Sequence, residues 1–108
     1  MGKFEIKKDV SGQFRFNLKA ANGQVILSSE AYKQKASCEN GIESVRKNSQ
    51  VDSNFDRKDS KGNYRFNLKS TNSQIIGTSE SYTSSAAMEN GIASVKTNAA
   101  NATIEDNS

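Results

Sequence analysis

Histidine and proline are absent from this chain, cysteine occurs once, and no apolar run is long enough to span a bilayer. Without histidine the commonest general base and metal ligand is missing. One cysteine cannot close an internal disulfide, so nothing ties the chain to an oxidising compartment, and no triad-like pattern surrounds it. No glycine-rich phosphate loop of either common type occurs. Met1–Lys7 lacks the apolar core of a signal peptide, and Ile6 stands where a myristoylation signal wants Ser or Thr. Asn101-Ala102-Thr103 spells a glycosylation sequon, a chance match where no secretory signal accompanies it. These absences lead to the expectation of a cytoplasmic, non-enzymatic protein with no catalytic residues, no metal, no cofactor and no membrane association.

What the chain does have is a unit written twice. Phe14-Arg15-Phe16-Asn17-Leu18-Lys19, Ser29-Glu30-Ala31-Tyr32 and Glu39-Asn40-Gly41-Ile42 return fifty positions later as Tyr64-Arg65-Phe66-Asn67-Leu68-Lys69, Ser79-Glu80-Ser81-Tyr82 and Glu89-Asn90-Gly91-Ile92. Over residues 7–48 against 57–98, 22 of 42 positions are identical without a gap. A unit of about 50 residues is marginal as an independent core. No proline- or glycine-rich linker separates the copies. The expected domain organisation is therefore a first repeat at 1–53 and a second at 54–108 that share one interior, acting as a monomer. Charge is uneven: residues 1–50 carry nine Lys/Arg against five Asp/Glu, and residues 51–108 carry six against seven.

Within each copy the period changes from two to about 3.6. Phe4 and Ile6 alternate with polar residues, then Phe14, Phe16 and Leu18 share one strand face while Arg15, Asn17 and Lys19 share the other. Asn22-Gly23 signals a hairpin of the primed-turn type, and Val25–Leu27 reads as a third strand. Cys38, Ile42 and Val45, like Met88, Ile92 and Val95, form one helical stripe per copy, which predicts helices over 34–48 and 84–98. Thr83, Ser84 and Ser85 offer N-caps to the second helix, whereas Lys33-Gln34-Lys35 offer none to the first. Gly41 and Gly91 fall inside those helices, so each helix backbone is expected to approach something closely. Cys38 aligns with Met88, as a buried hydrophobe would. Short strands are expected after each helix, around 50–53 and 102–105. In an ungapped alignment Phe55 falls opposite Glu5 instead of Phe4, which requires a bulge or a shifted register in one copy.

Phe-Asn-Leu-Lys-x-x-Asn, Ser-Glu-x-Tyr and Asn-Gly-Ile-x-Ser-Val, each present in both halves, make the chain resemble the YegP-like proteins over nearly its whole length. The resemblance implies an α+β fold. Two tandem β-β-β-α-β repeats would form one mainly antiparallel sheet with both helices on one face, and the C-terminal strands of the repeats would be exchanged. One-copy members would dimerise to the same shape, so this chain would be a fused dimer. The resemblance carries no active-site residues and no established biochemical function.

The residues nominate few sites. Glu30 with Glu39, and Glu80 with Glu89, read as structural carboxylates at the strand-to-helix turn, and Tyr32 and Tyr82 as rings packed at the helix–sheet junction. The candidate binding surface is the outer sheet face, with Arg15, Asn17, Lys19, Arg65, Asn67 and Lys69. Its four cations could bind a polyanion or nucleic acid. The aromatics of the same strands point the other way, unlike those of a sheet that stacks bases. Three readings stand: a binding or structural domain of unknown partner, weak polyanion binding through that face, and a small-ligand site where the repeats meet.

Overall fold

A computed structural model describes residues 2–108. Strand β1 (Lys3–Lys8), β2 (Phe14–Lys19) and β3 (Val25–Ser28) lead into helix α1 (Lys35–Asn48). A short 3-10 turn at Asp52–Asn54 precedes β4 (Phe55–Ser60), β5 (Asn63–Lys69) and β6 (Ile75–Thr78), and helix α2 (Ser85–Asn101) ends in β7 (Thr103–Asp106). The seven strands make one sheet in the order β4-β5-β6-β3-β2-β1-β7. All neighbours run antiparallel except β1 and β7, which are parallel.

The halves meet at β3 and β6, joined through Ser28 and Thr78. Helix α1 packs on β6 as well as β2, and α2 packs on β3 as well as β5, so each helix covers a strand of the other repeat. Phe4, Phe16, Leu18, Ile42 and Val45 are buried in one continuous cluster with Phe55, Phe66, Leu68, Ile92 and Val95. The α+β architecture expected from the repeat is the one observed: neither half closes an interior of its own.

Local chemistry explains the elements. Ser84 caps α2 by accepting the Ala87 amide at 3.1 Å, while Gln34 gives α1 no side-chain cap. Helix α2 runs three residues beyond the expected end because Ala99 and Ala100 continue it, whereas the Ser49 amide closes α1 on the Val45 carbonyl. The close approach at the helical glycines is to tyrosine. A Cβ on Gly41 would lie 2.5 Å from Tyr32 Oη and 3.1 Å from a Phe16 ring carbon, and Gly91 meets Tyr82 in the same way. Those rings stack on Phe16 and Phe66 with centroids 6.4 and 6.3 Å apart.

The one-residue offset of the first strand is the shifted register that the alignment required, produced by a difference in loop length. Phe4 and Phe55 take equivalent places opposite Leu18 and Leu68, but five residues link Lys8 to Phe14 and only four link Asp59 to Tyr64. Lys61 and Gly62, both at positive φ, make the tight turn that the shorter loop requires. Two other expectations need correction. The turn at Asn22-Gly23 is not of the primed type. Only Gly23 has positive φ; its amide reaches the Ala20 carbonyl, while the Gln24 amide binds the Asn22 side chain. In the second copy Ser73 adopts that left-handed conformation at φ 68°. Finally, residues 50–53 form no strand. The chain leaving α1 runs through the 3-10 turn directly into β4, which already serves as the outer strand of the second repeat. Strand β7 therefore crosses onto β1 of the first repeat without a reciprocal partner, and the exchange runs one way.

The two sheet edges differ as a result. The edge of β1 is covered by β7, held by Lys3–Glu105 at 2.5 Å and Lys35–Asp106 at 2.6 Å. The edge of β4 is open. There Arg57 takes the position that Ile6 holds in β1, and it donates from Nε and Nη2 to Glu89 at 2.6 and 3.0 Å and from Nη2 to Asp52 at 3.2 Å. A charged residue pointing inward on an open edge discourages a further strand.

Candidate functional site

Strand alternation places Arg15, Asn17 and Lys19 on the sheet face away from the helices, and Arg65, Asn67 and Lys69 likewise. The two triplets do not converge. Strands β6 and β3 lie between β5 and β2, which separates them by about 14 Å at ordinary strand spacing. The middle of this face is a row running Asp56, Asn67, Thr78, Ser28, Asn17, Glu5 from strand to strand. It is neutral at its centre and acidic at both ends.

Carboxylates pair with three of the four candidate cations. Lys19 Nζ lies 2.9 Å from Glu5 Oε1 and Lys69 Nζ 3.3 Å from Asp56 Oδ2, while Arg15 Nε donates to Asp9 Oδ2 at 3.3 Å. Glu5 is nearly buried, and the Lys19 ammonium holds its carboxyl below the usual range against the opposing effect of burial. Lys58, then Lys69, depress Asp56; the Ser11 hydroxyl and the Gln13 amide depress Asp9. Among the described residues, Arg65 alone of the four cations has no carboxylate within salt-bridge distance; its Nε donates to Ser81 Oγ at 2.7 Å.

The carboxylates at the strand-to-helix turns do not pair as acid and base. Glu30, Glu39 and Glu80 are exposed, and Glu89 is bound to Arg57, which lowers its pKa. The turn is tied down by serine instead. Ser29 Oγ accepts the Phe16 amide at 2.9 Å and donates to the Glu30 carbonyl at 2.8 Å, and Ser79 repeats both bonds with Phe66 and Glu80. Nothing in the structure explains why glutamate follows that serine in both copies. Burial pushes the Cys38 thiol up to about 11 and raises both Tyr32 and Tyr82, as expected of packing groups. Among the described residues no cluster of three Cys, Asp or Glu side chains could hold a metal ion. Among the described residues no helix is long and apolar enough to cross a membrane.

A concavity lies where the repeats meet. Helix α1 of the first copy and the β5–β6 loop of the second enclose a cleft of roughly 480 Å³. Asn40, Glu43 and Lys47 line one wall, Ser70, Thr71 and Asn72 the other, and Ile76 adds an apolar patch. Glu43 is bound to Arg46 at 3.3 Å, and Lys47 has no carboxylate partner among the described residues. At the equivalent positions of the second helix and first hairpin, Glu43, Lys47, Ser70 and Thr71 are replaced by Ala93, Thr97, Ala20 and Ala21. Sequence reasoning anticipated a junction but not these residues. The available signal was their divergence among lining positions that otherwise repeat, such as Asn40, Ser44 and Asn72, which recur as Asn90, Ser94 and Asn22.

The comparisons with known proteins agree with this architecture. The family model described as a domain of unknown function, DUF1508, matches twice, at residues 9–56 and 59–106. The UPF0339 protein YegP of Yersinia pestis is 57% identical over 56 residues, 52% of this chain and 50% of that one. A UPF0339 protein of Treponema denticola is 67% identical over 48 residues, 44% of this chain and 83% of that one. The aligned segment thus spans about half the length of the first of these relatives. Among solved structures, the solution NMR structure of yegP from E. coli, a protein of unknown function, covers 98% of this chain and 92% of its own. It shares 48% identity with this chain at a TM-score of 0.93. A UPF0339 protein of Shewanella oneidensis gives 0.92 at 48% identity, covering 97% and 90%.

Proposed function

The chain belongs to the YegP-like family in its two-copy DUF1508 form, and on that footing we propose that it is a non-catalytic binding module, monomeric and cytoplasmic, whose small polar ligand sits in the junction cleft. The observation that carries this reading is the departure from symmetry. Where one copy has alanine or threonine, the cleft has an unpaired ammonium, a carboxylate and two hydroxyls, beside the amides of Asn40 and Asn72. An ammonium and a carboxylate one helical turn apart, Lys47 and Glu43, suit a zwitterion, with the amides supplying further donors and acceptors. Catalysis gains no support from the titratable groups: the shifted carboxylates are bound to cations or hydroxyls, and the thiol is buried.

The test is a titration of the amide NMR spectrum with free amino acids, beginning with glutamine and glutamate. Saturable shifts confined to residues 40–48 and 70–76, lost in Lys47→Ala with Asn72→Ala, are expected. Shifts spread evenly over both repeats, or none for any zwitterion at 20-fold excess, would refute the reading. Light scattering checks the monomer. The alternative of polyanion binding by the outer face is disfavoured by the ion pairs of Arg15, Lys19 and Lys69, which already engage three of the four cations on which it would rest.

A further inference from the structure

A second concavity, of roughly 280 Å³, lies on the outer face of the β4–β5 hairpin and shares no residue with the junction cleft. Its lining is Lys58, Ser60, Asn63, Arg65 and Ser81, two cations, two hydroxyls and an amide without one carboxylate. Lys58 and Arg65 stand directly opposite each other across the hairpin. Like charges at directly opposed positions repel, and a bound anion relieves the repulsion. Lys58 has only Asp56 at 3.1 Å, which it shares with Lys69.

The first repeat shows why this arrangement is special to the second. There Lys7 and Arg15 are also opposed, and Lys7 shares Glu5 with Lys19 as Lys58 shares Asp56 with Lys69, but the five-residue loop lets Asp9 reach back to the Arg15 guanidinium. In the second repeat the loop is one residue shorter. Asp59 is thereby drawn into the strand, opposite Tyr64 and on the side away from Arg65. The same copy places Ser81 where the first has Ala31, and the Ser81 hydroxyl takes the Arg65 Nε hydrogen. With Nε so engaged the guanidinium is oriented, and its terminal nitrogens remain for a ligand.

We propose that this pocket binds the phosphoryl group of a phosphate monoester or free phosphate. The tetrahedral dianion is matched by a guanidinium fork, an ammonium and hydroxyl donors. One shortened turn and one alanine-to-serine difference thus separate an ion-paired surface in the first repeat from an anion site in the second.

The experiment titrates the intact chain with inorganic phosphate and, separately, with glycerol 3-phosphate at constant ionic strength. Amide NMR follows the binding, and sodium chloride serves as the control. The expected result is saturable shifts at residues 58–65 and 81, with the matching residues 7–15 and 31 unmoved. Affinity should fall at least tenfold in Arg65→Ser and severalfold in Ser81→Ala. Both changes lie on the exposed surface, and unchanged spectra elsewhere verify folding. Binding should also weaken from pH 7.5 to pH 5 as the ligand loses its second charge, whose pKa is about 6 in a phosphate monoester. Tighter binding of glycerol 3-phosphate supports a phosphorylated metabolite, and tighter binding of phosphate supports the free ion. Shifts that stay linear, appear equally with chloride, or survive Arg65→Ser overturn the site. A failure here would leave the junction cleft unaffected, since its shifts report on other residues.

Discussion

Replacing Gly41 by alanine sets two known quantities against each other. Helix propensity favours the substitution by about 1 kcal/mol. The new Cβ, however, would lie 2.5 Å from Tyr32 Oη, 3.0 Å from Cζ and 3.1 Å from a Phe16 ring carbon. The tyrosine cannot swing away freely, because its ring stacks on Phe16 and its backbone exchanges two 2.7 Å hydrogen bonds with Phe14. Overpacking of this kind costs about 1–3 kcal/mol, so Gly41→Ala is expected to lose about 1 kcal/mol net. Tyr32→Phe removes the nearest atom. In the alanine background it should recover about 1 kcal/mol, giving a coupling of that size in a double-mutant cycle. Urea unfolding with an unchanged m-value measures each corner, and Gly91 with Tyr82 provides a second copy of the cycle. A stabilised Gly41→Ala protein, or a coupling below about 0.3 kcal/mol, would refute the argument that the tyrosine dictates the glycine.

Other outcomes follow from the same geometry. A Cβ at Gly77 would lie 2.6 Å from Leu27 Cδ2. Gly77→Leu and Leu27→Gly should therefore each destabilise by more than about 2 kcal/mol, and the double variant should recover part of the loss in thermal unfolding; strict additivity would contradict the fit. Ser29→Ala leaves the buried Phe16 amide without its acceptor and should cost about 1–3 kcal/mol, with faster hydrogen exchange at that amide; unchanged exchange would show another acceptor. Glu105 and Asp106 are held below ordinary carboxylate values, by Lys3 and Lys35 first. Their contribution to stability is complete above the unfolded values near pH 4 and disappears as pH falls through the depressed folded ones. Protection of β7 amides, measured against their intrinsic exchange rate at each pH, should therefore fall below about pH 4 before the core opens, and simultaneous loss of both would argue against a separately anchored strand.

Much of the architecture was readable because its signals are local. The alternation at Phe14, Phe16 and Leu18, the stripe at Cys38, Ile42 and Val45, and the cap at Ser84 all act within a few residues of themselves. The continuous helix through Gly41 was readable too, although the partner that excludes a side chain, Tyr32, lies nine positions upstream. What escaped depends on register and on chain connection. A single residue missing from the second hairpin loop decides which face Asp59 occupies, and no periodicity records it. The absent strand at 50–53 followed from connectivity, since the same stretch had to feed β4. Read from β2 and β5 alone, the middle strand of each repeat's meander, the outer face is basic. Glu5 and Asp56, on the neighbouring strands, become its counterions once the pairing is known. The junction cleft joins α1 to a loop some thirty residues further on, a distance across which sequence pattern carries no geometry.

Joining two copies in one chain also changes how the sheet can grow. Two identical subunits would present identical edges, whose mutual contact closes after one step. Here the edges are unlike, β7 at one end and β4 at the other, and a head-to-tail contact between unlike edges repeats without limit. The Arg57 clamp with Glu89 and Asp52 sits at the end where such a filament would have to begin. Keeping an isoleucine there, as the first copy does, would have left the molecule open to polymerisation.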